Sequence, residues 1–180
     1  MERSTTATFI GHSECYGLDE GRVLATIEQL IHAGITTFLC GGMGAFDWLC
    51  ARQVYQAKQQ YSEVECLLVI PYLSFRIRER KYFDDILYPE GFEKYHFKAA
   101  IPERNRFMVN HSSWALCYVD HDWGGAAKTY RLAVRQGLRI INLGELDNGK
   151  NHILEEVPQT RLAGGDRAKL RGCGTLCIPG

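Results

Sequence analysis

A short apolar run that passes through a glycine turn into a helical pattern constrains this chain more than any other feature. Residues 36–40 have the composition of a buried strand, and Gly41, Gly42 and Gly44 place three glycines within the next four residues. Helical spacing of apolar residues begins directly afterwards. Strand, turn and helix in this order are typical of α/β folds, and the free N–H groups at the helix start favour an anion. We therefore predict a ligand site here, the alternative being that the glycines only tighten the turn.

The same order recurs along the chain. Apolar runs at residues 7–10, 65–70, 113–119 and 138–143 predict four further strands, with helical patterns between most of them. Residues 72–101 mix basic and aromatic side chains without a clean period, and we predict one or two short helices and a loop there. Because parallel strands need crossover connections, the pattern predicts an α/β fold. We expect a Rossmann-like doubly wound sheet of about five mainly parallel strands with helices on both faces.

Composition narrows the class of protein. With 46% hydrophobic and 23% charged residues, the chain has the composition of a globular protein. We predict one domain at residues 1–143 and a polar C-terminal extension at residues 144–180, either irregular or packed at an edge. The 21 Lys and Arg residues equal the 21 Asp and Glu residues in number. Since proteins that bind duplexes usually carry a basic excess, this balance argues against nucleic acid as a partner.

The N-terminal residues and the cysteines indicate where the protein is found in the cell. The first residues lack the apolar core of a signal peptide and no apolar run is long enough to span a membrane, so we expect a cytoplasmic protein without a membrane partner. Seven cysteines, most of them in apolar segments, predict reduced thiols and no disulfide framework. The close pair Cys173 and Cys177 lacks the second pair that a zinc site usually needs. No metal site and no cofactor other than a nucleotide-type ligand is predicted.

Three loops should share one crevice, because ligands of open parallel sheets bind beyond the carboxyl ends of the strands. These loops are Gly11 with His12, residues 41–47, and residues 120–126. The first turn reads Gly-His-Ser-Glu-Cys instead of the dinucleotide fingerprint, and a Walker A loop is absent, so an ordinary NAD-dehydrogenase domain is excluded.

Four ordered motifs carry a family resemblance: Phe9-Ile10-Gly11-His12, Gly41-Gly42-Met43-Gly44-Ala45-Phe46-Asp47, Arg104-Asn105-Arg106-Phe107-Met108-Val109-Asn110, and Gly124-Gly125. Across residues 7–143 the chain resembles the SLOG superfamily, the Rossmann-like group named for the Smf/DprA and LOG proteins, and within it the YpsA-like bacterial and phage branch. The resemblance implies a site for nucleotides or nucleotide-derived signals. It also allows a homodimer.

Carried onto this chain, the resemblance assigns the first glycine turn, from Gly41 through Met43 to Gly44, to a phosphate. Asp47 would orient a sugar hydroxyl or cap the helix. His12 would hydrogen-bond a ligand or act as acid or base, unless it is merely a polar turn residue.

The remaining site residues lie in the second half of the chain. Arg104 would bind phosphate through its guanidinium fork, and the amide of Asn105 would read a base or sugar edge. The alternative for this pair is a surface salt bridge and an exposed amide. Gly124 and Gly125 would form a second backbone cradle, with Lys128 nearby either at the ligand or as a solvated cation.

One departure from the family bears on catalysis. LOG-type phosphoribohydrolases carry a Pro-Gly-Gly-x-Gly-Thr-x-x-Glu motif, and the matching residues 122–130 of this chain lack its Glu. Asp47 and Asp120 are the candidate catalytic substitutes. We therefore expect a sensor or sequestering protein for a nucleotide-type small molecule. The alternatives are an N-glycoside hydrolase acting on nucleoside monophosphates and a structural interaction protein without a ligand.

Overall fold

The structure is a computed structural model, and it describes residues 1–144. The predicted extension at residues 144–180 lies outside the described residues, apart from Gly144, so the division into a domain and an extension stays a prediction. Within the described part, none of the helices combines the length and the apolar character needed to cross a membrane.

Six strands and four helices alternate along most of the described chain. The strands are β1 (Thr6–Gly11), β2 (Thr37–Cys40), β3 (Glu65–Val69), β4 (Asp85–Leu87), β5 (Trp114–Tyr118) and β6 (Arg139–Asn142). The helices are α1 (Glu20–His32), α2 (Ala45–Ala57), α3 (Phe97–Asn110) and α4 (Gly124–Arg135). Single turns of 3₁₀ helix lie at Arg3–Thr5, Arg80–Tyr82 and Phe92–Lys94.

All six strands form one parallel sheet in the order β4-β3-β2-β1-β5-β6. The chain builds outward from β1 to β4, then crosses back to place β5 on the other side of β1. This arrangement is a doubly wound sheet with one reversal of strand order. The predicted Rossmann-like α/β fold is confirmed, with one strand more than the sequence indicated.

Two apolar layers cover the sheet, because side chains alternate between the faces of each strand. Phe9 on β1 and Leu116 on β5 pack with α1 and α2 on one face. Ile10 and Cys117 pack on the other face with Val109 of α3 and the buried residues of α4. Helices therefore lie on both faces, as predicted, and the strand ends between the layers are left to carry the loops.

The segment before α3 departs from its prediction. Residues 72–101 contain β4 and two 3₁₀ turns, and α3 begins at Phe97, where the ring of His96 accepts a hydrogen bond from the Lys98 N–H. Pro102 consequently lies inside α3 and not in its first turn. A proline in mid-helix removes one backbone hydrogen bond. For this reason the sequence alone does not predict a helix that continues on both sides of Pro102.

The cysteines in the described strands and helices behave as predicted. Cys40, Cys50, Cys66 and Cys117 are buried and free. Burial raises the pKa of the Cys50 and Cys117 thiols above their usual range. These groups therefore pack as small apolar side chains.

Candidate functional site

A cavity of about 770 Å³ opens where the strand order reverses, between the carboxyl ends of β1 and β5. Gly11 at the end of β1 pairs in register with Tyr118 at the end of β5, so the two loops that follow leave the sheet side by side. The volume lies within the range of small-molecule sites in proteins.

The three loops that the sequence assigned to one crevice do converge on this cavity. Its lining includes most of the predicted site residues: Gly11, His12, Gly41, Met43, Gly44, Asp47, Arg104, Asn105, Asp120, Gly124 and Gly125. Gly42 and Lys128 do not line it. Gly42 adopts a left-handed φ of 65° with its α-carbon against Leu68, and Lys128 is exposed on α4.

The first glycine turn is already occupied by an anion of the protein. The Asp47 carboxylate accepts hydrogen bonds from the backbone N–H groups of Met43, at 3.0 Å, and Gly44, at 3.5 Å. The N–H of Ala45 donates to the Ser13 carbonyl. Burial raises the pKa of Asp47, against the opposing effects of Arg104 and the two N–H donors. Of the two roles considered for Asp47, the structure shows the helix cap.

The glycines of this turn make room for the protein itself. A Cβ added at Gly41 would lie 2.8 Å from Nη1 of Arg104, and one at Gly44 would lie 3.0 Å from the carbonyl oxygen of His12. At Gly11 a Cβ would come within 2.3 Å of the Phe46 ring. Close packing therefore accounts for the small residues here, where we expected close approach of a phosphate.

The N-cap residue of α4 has the same backbone angles as that of α2, but the first helical residues differ, because Gly124 is left-handed and Ala45 is not, and α4 lacks the carboxylate. The N-cap residues Gly44 of α2 and Trp123 of α4 have backbone angles of −115°, 165° and −114°, 167°. The third residue of α2 is Asp47, whereas the third residue of α4 is Ala126, and the first turn of α4 contains no acidic residue. In the described structure, the N–H groups of Gly124, Gly125 and Ala126 donate no hydrogen bond.

Open space surrounds this second turn. A Cβ at Gly124 or Gly125 would meet no heavy atom within 4 Å, in contrast to the glycines of the first turn. Gly124 has a φ of 86°, a left-handed conformation that favours glycine. The start of α4 thus presents unused N–H groups and a positive helix dipole to the cavity.

Arg104 is buried, with 3% of its surface exposed, which excludes the alternative of a surface salt bridge. Its Nη1 donates to the carbonyl oxygens of Gly41 and Val69, and its Nε donates to Asn105 Oδ1. Its Nη2 has no hydrogen-bond partner among the described residues, and the side chain lines the cavity. Burial lowers the pKa of the guanidinium, and the nearby Asp47 carboxylate opposes this shift.

Asn105 links α3 to the start of α4. Its amide nitrogen donates to Thr129 Oγ1 at 3.0 Å, and that hydroxyl donates to the Gly125 carbonyl at 2.9 Å. Because its amide oxygen also accepts from Arg104, both ends of the amide are engaged by the protein. Asn105 therefore positions the second glycine turn, and the exposed amide expected as its alternative is not observed.

A column of rings that the sequence reading missed forms one rim of the cavity. His12 stacks on His121 with ring centroids 3.5 Å apart, and His121 stacks on Trp123 at 3.9 Å. Asp120 lies beside the first two rings, 3.5 Å from His12 Nε2 and 3.7 Å from His121 Nε2. Burial and the neighbouring His121 lower the pKa of His12, against the opposing charge of Asp120. In the sequence, the only signal for His121 and Trp123 is that they are aromatic residues next to the second glycine turn.

Fold and cavity together define a Rossmann-like α/β protein with a ligand-sized site at the reversal of strand order. No family model and no curated protein matches the chain. Solved structures of DNA processing protein A, DprA, do match it. The Streptococcus pneumoniae protein is similar with a TM-score of 0.55 and 15% identity over 76% of this chain and 49% of its own. The Helicobacter pylori protein is similar with a TM-score of 0.57 and 14% identity over 78% of this chain and 65% of its own.

These matches confirm the predicted fold. The chain has the Rossmann-like fold of the DprA proteins, and it spans less than two thirds of either DprA chain. The YpsA-like branch stays a prediction. The argument from neutral charge against nucleic acid is wrong, because the Helicobacter pylori protein with this fold is described by its single-stranded DNA binding mode. A balanced net charge says nothing about the local charge of a cavity.

Proposed function

We propose that the chain binds a nucleotide-type ligand, with a phosphate group at the start of α4. The observation that carries the proposal is the contrast between two glycine turns whose N-cap residues have the same backbone angles. Asp47 supplies the anion at α2, and nothing in the described structure supplies one at α4. A phosphate would bind the N–H groups of Gly124, Gly125 and Ala126 in the first turn of the helix. At α2 the carboxylate binds just before the helix instead, at the N-cap residue and the residue that precedes it.

Two further features support this ligand class. The unused Nη2 of Arg104 offers a cationic donor from the floor of the same cavity, and guanidinium groups suit phosphate oxygens. At the rim, Trp123 is 69% exposed and Tyr16 is 81% exposed. Exposed aromatic rings beside a phosphate site can stack on the face of a nucleobase. Such stacking does not depend on which base is bound.

Single-stranded DNA is a second candidate ligand, favoured by the similarity to the Helicobacter pylori DprA fold. One nucleotide of a strand would use the same groups, with its phosphate at α4 and its base against Trp123. A strand differs from a free nucleotide in needing neighbouring phosphate contacts outside the cavity.

We place binding ahead of catalysis because of what the two candidate carboxylates do. Asp47 is engaged as a helix cap, and capping competes with a role as general base or acid. Asp120 is 43% exposed and lies against the two histidines. A phosphoribohydrolase would have to rely on Asp120, so loss of turnover of nucleoside monophosphates in Asp120→Asn would identify that alternative.

The test introduces the missing carboxylate. In Ala126→Asp the new carboxylate should accept from N–H groups just before α4, as Asp47 does before α2, and should repel a phosphate by its charge. We expect affinity for nucleoside monophosphates and for a short oligothymidylate, measured by calorimetry, to fall at least about tenfold. The matched control is Ala126→Asn, which has nearly the same shape without the charge.

Two outcomes would overturn this assignment. Unchanged affinity in Ala126→Asp would show that the phosphate does not bind at α4. Equal losses of affinity in Ala126→Asp and Ala126→Asn would show that the size of the side chain, and not its charge, causes the effect. No binding of any nucleotide or oligonucleotide by the wild-type chain would favour the structural interaction protein.

The base-stacking part of the proposal has its own variant. Trp123→Ala should weaken binding of the same ligands by about 1–3 kcal/mol but leave free inorganic phosphate unaffected. Tyr55→Ala is the control, because Tyr55 is also a partly exposed aromatic residue but does not line the cavity. Equal affinity in Trp123→Ala and wild type would show that no base stacks on this ring.

A further inference from the structure

Three potential metal ligands meet at the rim of the cavity. His12 follows β1, and Asp120 and His121 follow β5, so the side-by-side pairing of these strands brings the two loops together. One ligand atom from each residue lies within 4.8 Å of the others. The cluster therefore depends on sheet topology and not on sequence spacing, which is why no metal motif is visible in the chain.

One imidazole nitrogen of each histidine lacks a hydrogen bond, although His12 Nε2 lies 3.5 Å from the Asp120 carboxylate. His12 Nε2 and His121 Nδ1 are buried, and neither forms a hydrogen bond in the described structure. A buried polar atom without a partner carries a desolvation cost of about 1–3 kcal/mol. Such atoms are rare in folded proteins, and an unfilled ion site is one of the few explanations for two of them in adjacent rings.

We propose that His12, Asp120 and His121 bind a divalent transition metal ion, for which zinc is the reference. Two imidazoles and one carboxylate are borderline ligands that suit Zn²⁺ and its neighbours better than Mg²⁺ or Ca²⁺. Atoms that share a tetrahedral zinc ion at about 2.1 Å lie roughly 3.4 Å apart. The Asp120 oxygen is 3.5 Å from His12 Nε2 and 3.7 Å from His121 Nε2. The unpartnered nitrogen of His121 is Nδ1, so the ring must turn if that nitrogen is the ligand atom.

The stacked rings must open slightly to bind the ion. Their planes differ by 28°, whereas both lone pairs must point at one ion when it is bound. The side chain of His121 is 31% exposed and can turn toward the cavity. Three protein ligands leave at least one coordination position for water or for an oxygen of a ligand, and all three residues line the cavity. The site does not depend on the proposed nucleotide, because all three ligands come from the chain.

The experiment titrates the full chain, freed of metal with a chelator, with Zn²⁺ alone in the absence of nucleotide. We expect one ion per chain in addition to any weak sites. His12→Ala and His121→Ala should each lower the Zn²⁺ affinity by more than the ~10–100-fold that is lost when a residue hydrogen-bonded to a metal ligand is removed. His32→Ala is the matched control, since His32 is exposed on α1 away from the cavity. Cys173→Ser with Cys177→Ser tests the cysteine pair as a rival site.

Spectra of the Co²⁺-loaded protein give a readout independent of affinity. Wild type should show the visible d–d bands of a four- or five-coordinate ion with nitrogen and oxygen ligands, and Asp120→Asn should shift them. Circular dichroism of each variant verifies folding. The proposal is overturned if wild type takes up no Zn²⁺ at micromolar concentration, if His12→Ala and His121→Ala bind it as wild type does, or if the double cysteine variant abolishes uptake. Nucleotide binding that persists without metal leaves the proposed function intact.

Discussion

One side chain distinguishes the two helix starts at the strand ends. Asp47 closes the first by accepting two backbone N–H groups, and Ala126 leaves the second open. Two glycine turns with the same N-cap angles therefore differ in role: one carries a carboxylate that stabilises the fold, and the other presents N–H groups to the cavity. The charge balance of the whole chain conceals this difference, because it is made by a single carboxylate.

Removing that carboxylate should cost stability. Asp47→Ala leaves the N–H groups of Met43 and Gly44 without their acceptor, and we expect the free energy of unfolding to fall by about 1–2 kcal/mol in urea denaturation. Asp47→Asn keeps an acceptor oxygen and should lose less. The interpretation of Asp47 as a cap is wrong if Asp47→Ala is as stable as wild type.

The two glycine turns also differ in how they pack against the strands and helices around them. In the first turn and at the end of β1, the missing Cβ atoms let α2 and α3 pack against the strand ends. In the second turn they leave space in front of α4. Substitution by alanine separates the two roles, because a packing glycine has no room for a methyl group and a cavity glycine does.

Gly11→Ala should destabilise the protein by about 1–3 kcal/mol, because its methyl group would overlap the Phe46 ring. Gly125→Ala should leave stability unchanged or raise it by up to about 1 kcal/mol, since alanine is the better helix former. Thermal denaturation measures both. Equal destabilisation by the two variants would contradict the assignment of open space to the second turn.

Strong local patterns were sufficient to predict most elements. Continuous apolar runs identified β1, β2, β3, β5 and β6, whereas β4 has three residues, one of them Asp85, and offers no such run. Asp19 precedes a helical pattern and caps α1, where it accepts from the Gly21 N–H. Pro102 is a residue type favoured at helix starts, but α3 begins five residues before it, at Phe97.

The location of the candidate site could be predicted from the sequence, but the contacts of its side chains could not. Sheet topology led to the right loops, since parallel strand ends meet at one edge. Hydrogen-bond partners were not predictable: Arg104 turns inward to Gly41, and Asn105 turns to Thr129, although either side chain could also have faced a ligand. The stack of His12, His121 and Trp123 joins residues more than a hundred positions apart and leaves no local signal.

Across the whole molecule, charge is balanced, and the cavity is not basic either. Its lining has one guanidinium, that of Arg104, and three carboxylates, those of Glu14, Asp47 and Asp120. Any phosphate-bearing ligand therefore depends on backbone N–H groups and one buried arginine. A long basic track is not visible in the lining.

This distribution predicts a shallow salt dependence if single-stranded DNA is bound. Each phosphate neutralised on a single strand contributes about −0.7 to the slope of log affinity against log salt, so one or two contacts give roughly −0.7 to −1.4. Titration of an oligothymidylate at several salt concentrations measures the slope, with a mononucleotide as the control. A slope near −3 or steeper would show a phosphate track outside the cavity.

The central position of β1 has a consequence for synthesis of the chain. β1 can pair with β2 once residues up to Cys40 have left the ribosome, but its other edge waits for Trp114–Tyr118, more than a hundred residues after β1. Until then a nascent chain carries an unpaired, apolar strand edge in the middle of the future sheet, which is a known route to aggregation. A chain that stops before β5 should therefore be insoluble rather than half active, and the cavity can exist only after β5 and the start of α4 are in place.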